Sequence, residues 1–115
     1  MLNNAALLAM VKKTVKVTQI ACSGNTTWYV TKSGELYGCG YGSSGQQGSG
    51  STDKVNTFTK RADNVAQVAC SGDDYYNQTT WYVTNSGELY GCGSGSYGQQ
   101  GNESTANVNT FTKRP

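Results

Sequence analysis

The sequence predicts an all-β protein made of two propeller blades, each a four-stranded antiparallel sheet. Three observations carry that expectation. The first is an internal duplication. Residues 27–61 align with 80–114 without a gap, and the pairs differ only at positions 32, 41, 44, 49, 50, 53 and 54. Upstream, 17–24 matches 65–72 at a shorter offset, so the second copy carries an insertion around 73–77. The second is that each copy holds four short runs rich in β-branched and aromatic residues; strand-built repeats of ~40–50 residues mark propeller blades. The third is composition. Ser, Thr, Asn and Gln fill 42 of 115 positions, Gly fills 15, and the net charge is only +2. Aliphatic residues are few, yet a disordered chain would also need high net charge.

The elements follow in order. Val17–Cys22 is short, β-branched and closed by Ser23-Gly24, which reads as the first strand. Thr26–Thr31 is the second, with Trp28 and Val30 on one face and Thr27 and Tyr29 on the other. Ser33-Gly34 supplies a tight hairpin turn. Glu35–Gly40 is the third strand, with Leu36 facing opposite to Tyr37 and Cys39. Residues 41–54 form a glycine-rich loop, expected at the surface. Val55–Lys60, rich in Thr and carrying Phe58, is the fourth strand. The second copy repeats the pattern at 65–70, 79–84, 88–93 and 108–113. This divides the chain into an N-terminal segment (1–14), a first blade (15–61) and a second blade (62–115).

The motifs also resemble a known family. V-x-Q-[IV]-A-C-S-G, then T-T-W-Y-V-T-x-S-G-E-L-Y-G-C-G, then G-Q-Q-G occur in that order twice. The order resembles the regulator of chromosome condensation repeat over residues 15–114. The resemblance implies a β-propeller, commonly of seven four-stranded blades. Its founding members are guanine-nucleotide exchange factors that bind chromatin. The chain departs from the family pattern at Thr26 and Thr79 (a family His), Cys39 and Cys92 (a Trp), and Trp28 and Trp81 (a Leu). Against the family pattern the indole reads as transferred from the third strand to the second, with a thiol taking its place, as in a volume-conserving core exchange. Trp28, Trp81, Tyr37, Tyr90, Cys39 and Cys92 are the expected blade-packing residues.

Composition narrows the function classes. Without His, catalysis by Cys-His or Ser-His pairs is excluded, as are His-containing zinc sites. Nine dispersed cations are no nucleic-acid footprint. No apolar run reaches the ~18 residues that cross a membrane as a helix. The apolar stretch Ala5–Val11 is followed, not preceded, by Lys12 and Lys13, contrary to a signal peptide. Location is left open between cytoplasm and virion.

Gly40–Gly45 and Gly93–Gly98 fit G-x-G-x-x-G, but no helix pattern follows, so turns are the better reading than a dinucleotide site. The cysteines lack metal-ligand spacing, and free buried thiols are expected, with a disulfide as the alternative. Glu35 and Glu88 occupy equivalent turns and read as solvated. No cofactor, metal or catalytic set is expected.

A blade buries its faces against neighbours, and repeat units need about three or more copies for stability. Two blades leave two open faces, so the expectation is a ring closed by sister chains. Three chains give six blades and four give eight, and the trimer is favoured. A fragment of a longer propeller, or a synthetic repeat without an evolved partner, are the alternatives. Leu2–Val11, rich in Ala and Leu, reads as a short N-terminal helix for attachment or packing. For ligand contact the candidates are the insertion residues Asp73, Asp74, Tyr75, Tyr76 and Asn77, with loop residues Tyr41 and Tyr97, because Tyr joins an apolar ring to a polar tip suited to proteins or glycans. The function expected is a non-enzymatic, self-assembling binding module. Its uncharged, polar composition resembles virus and phage fibre domains. The runner-up is an exchange-factor or chromatin-type scaffold, as the family resemblance implies.

Overall fold

A computed structural model of the chain describes residues 15–72 and 77–115. The expected N-terminal helix and Asp73, Asp74, Tyr75 and Tyr76 lie outside the described residues. The elements in chain order are β1 (Val17–Ser23), β2 (Thr26–Thr31), β3 (Leu36–Gly40), β4 (Val55–Ala62), β5 (Val65–Ser71), β6 (Thr79–Thr84), β7 (Leu89–Gly93) and β8 (Val108–Arg114). They form two antiparallel meanders, β1-β2-β3-β4 and β5-β6-β7-β8. Every expected strand is present. β4 runs longer than the Thr-rich run suggested, because Ala62 pairs with Leu36 beyond the end of the pattern.

Local chemistry sets the hairpins. Gly34 takes φ +89, open to glycine at no steric cost. Its N–H donates to Thr31 O at 2.9 Å, and the Thr31 hydroxyl accepts from the Glu35 N–H at 3.0 Å. The twin turn at Thr84–Glu88 repeats both bonds, at 3.0 Å each.

The register corrects one expectation. Trp28 stands opposite Gly38 and Trp81 opposite Gly91, whereas Cys39 and Cys92 stand opposite Thr27 and Thr80 on the other face. The indole therefore does not trade volume with the thiol. It lies over a glycine, and a Cβ added at Gly38 or Gly91 would overlap the Trp28 or Trp81 ring. The other face carries a ladder of rings: Tyr29 stacks on Tyr37 at 5.0 Å and meets Phe58 edge-on at 4.8 Å, and Tyr82, Tyr90 and Phe111 repeat the arrangement.

The core lies between the sheets. Trp28, Val30 and Leu36 from the first sheet pack against Val65, Val68 and Tyr82 from the second. Each large apolar side chain buried there stabilises the fold by about 1.5–3 kcal/mol. One face of the first sheet thus meets the opposite face of the second.

Candidate functional site

Duplication gives both sheets the same two faces, but among the described residues only one of each is covered. The covered face of the first sheet holds Leu36, fully buried; its duplicate Leu89 is 37% exposed. Trp28 is fully buried and Trp81 half-buried. The covered face of the second sheet holds Val65 and Val68, 2% and 5% exposed; the matching Val17 and Ile20 are 49% and 75% exposed. Phe58 is exposed and its duplicate Phe111 half-buried. Among the described residues, the chain carries one closed joint and two open faces that duplicate its covered sides.

The closed joint is also hydrogen-bonded. The Val65 N–H donates to Gly34 O at 2.9 Å, and the Val68 N–H to Gln19 Oε1 at 2.6 Å. The Gln46 carbonyl accepts from the Thr80 hydroxyl at 2.8 Å and the Cys92 thiol at 3.5 Å. Phe111 meets Trp28 edge-on at 5.7 Å, and Ser49 pairs with Thr110 as an isolated bridge. Residues from β1, β2, the β2–β3 turn, the β3–β4 loop, β5, β6, β7 and β8 thus share one seam.

This seam corrects the surface-loop reading of residues 41–54. Ser44, Gln46 and Gln47 are buried. The Gln46 Oε1 accepts the Ser44 N–H at 2.8 Å and its Nε2 reaches Gln78 Oε1 at 3.4 Å, while the Gln47 Nε2 donates to Tyr41 O at 3.3 Å. A polar loop can be buried here because its glutamines satisfy backbone groups. In the second sheet Gln100 does the same, donating to Cys92 O and Ser94 O at 3.1 Å each and accepting from Arg114 at 3.1 Å. The paired glutamines of G-Q-Q-G were the signal, since an amide offers both donors and acceptors.

The expected ligand residues are spread out. Tyr97 is 82% exposed; Tyr41 is half-buried. They stand in the long loops of different sheets at non-equivalent positions, where the other copy has Ser44 and Ser94. Asn77 is half-buried beside the insertion. Tyr37, Tyr90 and Cys39 are half-buried, and Cys92 is fully buried. All four thiols are free; Cys22 is exposed, against the expectation of burial, because it lies on the uncovered face of β1.

Electrostatics follow burial. Burial pushes the Cys92 thiol well above the usual range and, with lesser effect, raises Cys70. The Tyr82 hydroxyl is pushed up to about 12, chiefly by burial and next by Tyr90. The hydrogen bond from Lys113 holds the Glu88 carboxyl below its ordinary value, and their ion pair spans 2.8 Å; Glu35 pairs likewise with Lys60 at 3.3 Å. Among the described residues no cluster of three His, Cys, Asp or Glu is placed to hold a metal, and no helix is long and apolar enough to cross a membrane.

Comparison with known proteins bears on the whole seam. Residues 17–46 match the regulator of chromosome condensation (RCC1) repeat model. The chain is 32% identical over 82 residues to the human RCC1-like G exchanging factor-like protein, covering 71% of this chain and 18% of that protein. It is 34% identical over 89 residues to the mouse secretion-regulating guanine nucleotide exchange factor, covering 74% of this chain and 18% of that one. The crystal structure of Prp20p from Saccharomyces cerevisiae, described with its binding to Gsp1p and histones, superposes with a TM-score of 0.74 at 19% identity, over 88% of this chain and 26% of that one. The matched stretch is therefore about a fifth of the length of the curated relatives.

Proposed function

This chain belongs to the regulator of chromosome condensation repeat family, and on that premise we propose that it is a non-enzymatic propeller module that binds protein and completes its ring with sister copies. The uneven burial of duplicated positions carries the reading. Val17, Ile20 and Phe58 are exposed on one side, and Leu89 on the other. Their duplicates are drawn into the core, so each open side is the counterpart of a surface that already packs. The joint is head-to-tail, and such joints form rings when the rotation closes. Three copies, with six blades, are the favoured assembly, and four the alternative.

The test is native mass. The expected result is three or four times 12.2 kDa. A stable species of 12.2 kDa at micromolar concentration overturns the reading.

A second reading has a specific observation behind it. Two relatives are named as exchange factors or exchange-factor-like, and Prp20p is described with Gsp1p. Exchange activity predicts faster release of labelled guanine nucleotide from a small GTPase on adding the assembled chain. The module reading predicts an unchanged rate. Display of the Tyr41 and Tyr97 loops to a protein or glycan, at a virion or other surface, is the ligand-binding side of the proposal. It rests on composition and loop placement. A ring would present several such sites at once and gain avidity. Whole-cell or glycan-array binding that falls when Tyr41 and Tyr97 are changed to Ala supports it; binding that is unchanged counts against it.

A further inference from the structure

Resting on the reading that sister copies complete the ring, we infer how the joint is made. The open face of the second sheet receives the open face of the next copy's first sheet, repeating the internal seam position by position. The glycines mark the seats. Gly48 lies under the Phe111 ring, Gly45 against Asn109, and Gly34 against the Val65 backbone. Among the described residues, nothing lies within 4 Å of where a Cβ would stand at their duplicates Gly101, Gly98 and Gly87. The three seats filled inside the chain are the same three left empty at its other side.

The residues that fit those seats are also uncovered. Phe58 duplicates Phe111 and is 47% exposed. Set on Gly101, it meets Trp81 as Phe111 meets Trp28. The polar bonds map the same way. Gln46 O accepts from Thr80 and Cys92 inside the chain. In the joint, Gln99 O accepts from the next copy's Thr27 hydroxyl and Cys39 thiol. Thr27 is exposed and Cys39 half-buried in the lone chain. All of these positions are identical between the copies.

The occupant is a second copy of this chain because its free surface is a near-duplicate of the surface already seated on the first sheet. A symmetric face-to-face dimer would instead set the Gly101 seat against itself and leave Phe58 unplaced. The joint is heterologous, with different residues on its two sides.

Two variants test it, one on each side. Ile20→Asp places a charge on a side chain that is 75% exposed in the lone chain. Gly101→Asn fills the empty seat with a residue that accepts positive φ, here +65. Both are expected to keep the β-sheet circular dichroism of the parent and to reduce the native mass to that of one chain. Alkylation adds a readout that does not depend on a variant folding. In the parent assembly, Cys39 is expected to react with iodoacetamide at least about tenfold more slowly than in chains diluted to monomer, because its thiol would be desolvated as that of Cys92 is. An assembled parent whose mass survives both substitutions, or whose Cys39 reacts at the monomer rate, overturns this joint and leaves ring formation standing. A parent that is monomeric at every concentration overturns both.

Discussion

Trp28 and Trp81 are the same residue in the same local register, each over a strand glycine, yet one is fully buried and the other is not. Local sequence sets the ring's cross-strand partner; the neighbouring sheet sets its burial. The glycine beneath it is required by contact. Gly38→Ala is expected to cost about 1–3 kcal/mol, since the added methyl overlaps a buried ring held between sheets. Urea unfolding followed by Trp fluorescence measures it, and a midpoint equal to the parent's would refute the contact argument. Tyr82 gives a pH prediction. Its hydroxyl is pushed up to about 12 from 10.0, so folding favours the neutral ring. That contribution to stability is complete below pH 10 and is lost as the pH rises through about 12. Absorbance titration should show one tyrosine ionising near 12, after the exposed ones; a single transition near 10 would refute it. The indole and the thiol do not exchange, since they stand on opposite faces of the sheet. An aligned motif counts positions, but the alternation of a strand puts neighbouring positions on opposite faces.

The strands were legible because each is a short β-branched run between glycine turns, as in Thr26–Thr31 and its twin Thr79–Thr84. The loops were not. Residues 41–54 read as a glycine-rich surface loop, but Ser44, Gln46 and Gln47 are buried. Hydropathy scores an amide as polar whatever its partners, and only the fold shows that the Gln46 carbonyl and side-chain amide find Thr80 and Gln78 across a seam. The Thr80 hydroxyl is one of those partners. Thr80→Val keeps the shape and removes the donor, so it should cost about 1–3 kcal/mol by leaving a buried carbonyl less well satisfied. The same change at Thr27, exposed in the lone chain, should leave the stability of the monomer within about 0.5 kcal/mol. Paired thermal melts of dilute protein distinguish the two. Equal losses at both positions would show that the Gln46 bond contributes nothing specific.

At the scale of the molecule, repetition makes the interior and the edge out of the same residues. The seam that joins the two sheets is closed once, and the duplicates of both its sides are left open among the described residues. If sister copies join those open sides, assembly should depend on concentration: dilution should lower the native mass and the melting temperature together, because subunit binding stabilises the folded state by mass action. A melting temperature independent of concentration would count against the ring. The amino-acid sequence alone determined the strand order, the hairpins, the duplication and the two faces of each sheet, because these follow from local stereochemistry and from a period of two along extended chain. The tertiary structure alone decided which of two identical faces is covered. Val68 and Ile20 share a register, yet they differ from 5% to 75% exposed. Burial depends on what packs against a surface, and near-identical copies carry no local mark of which one has a neighbour.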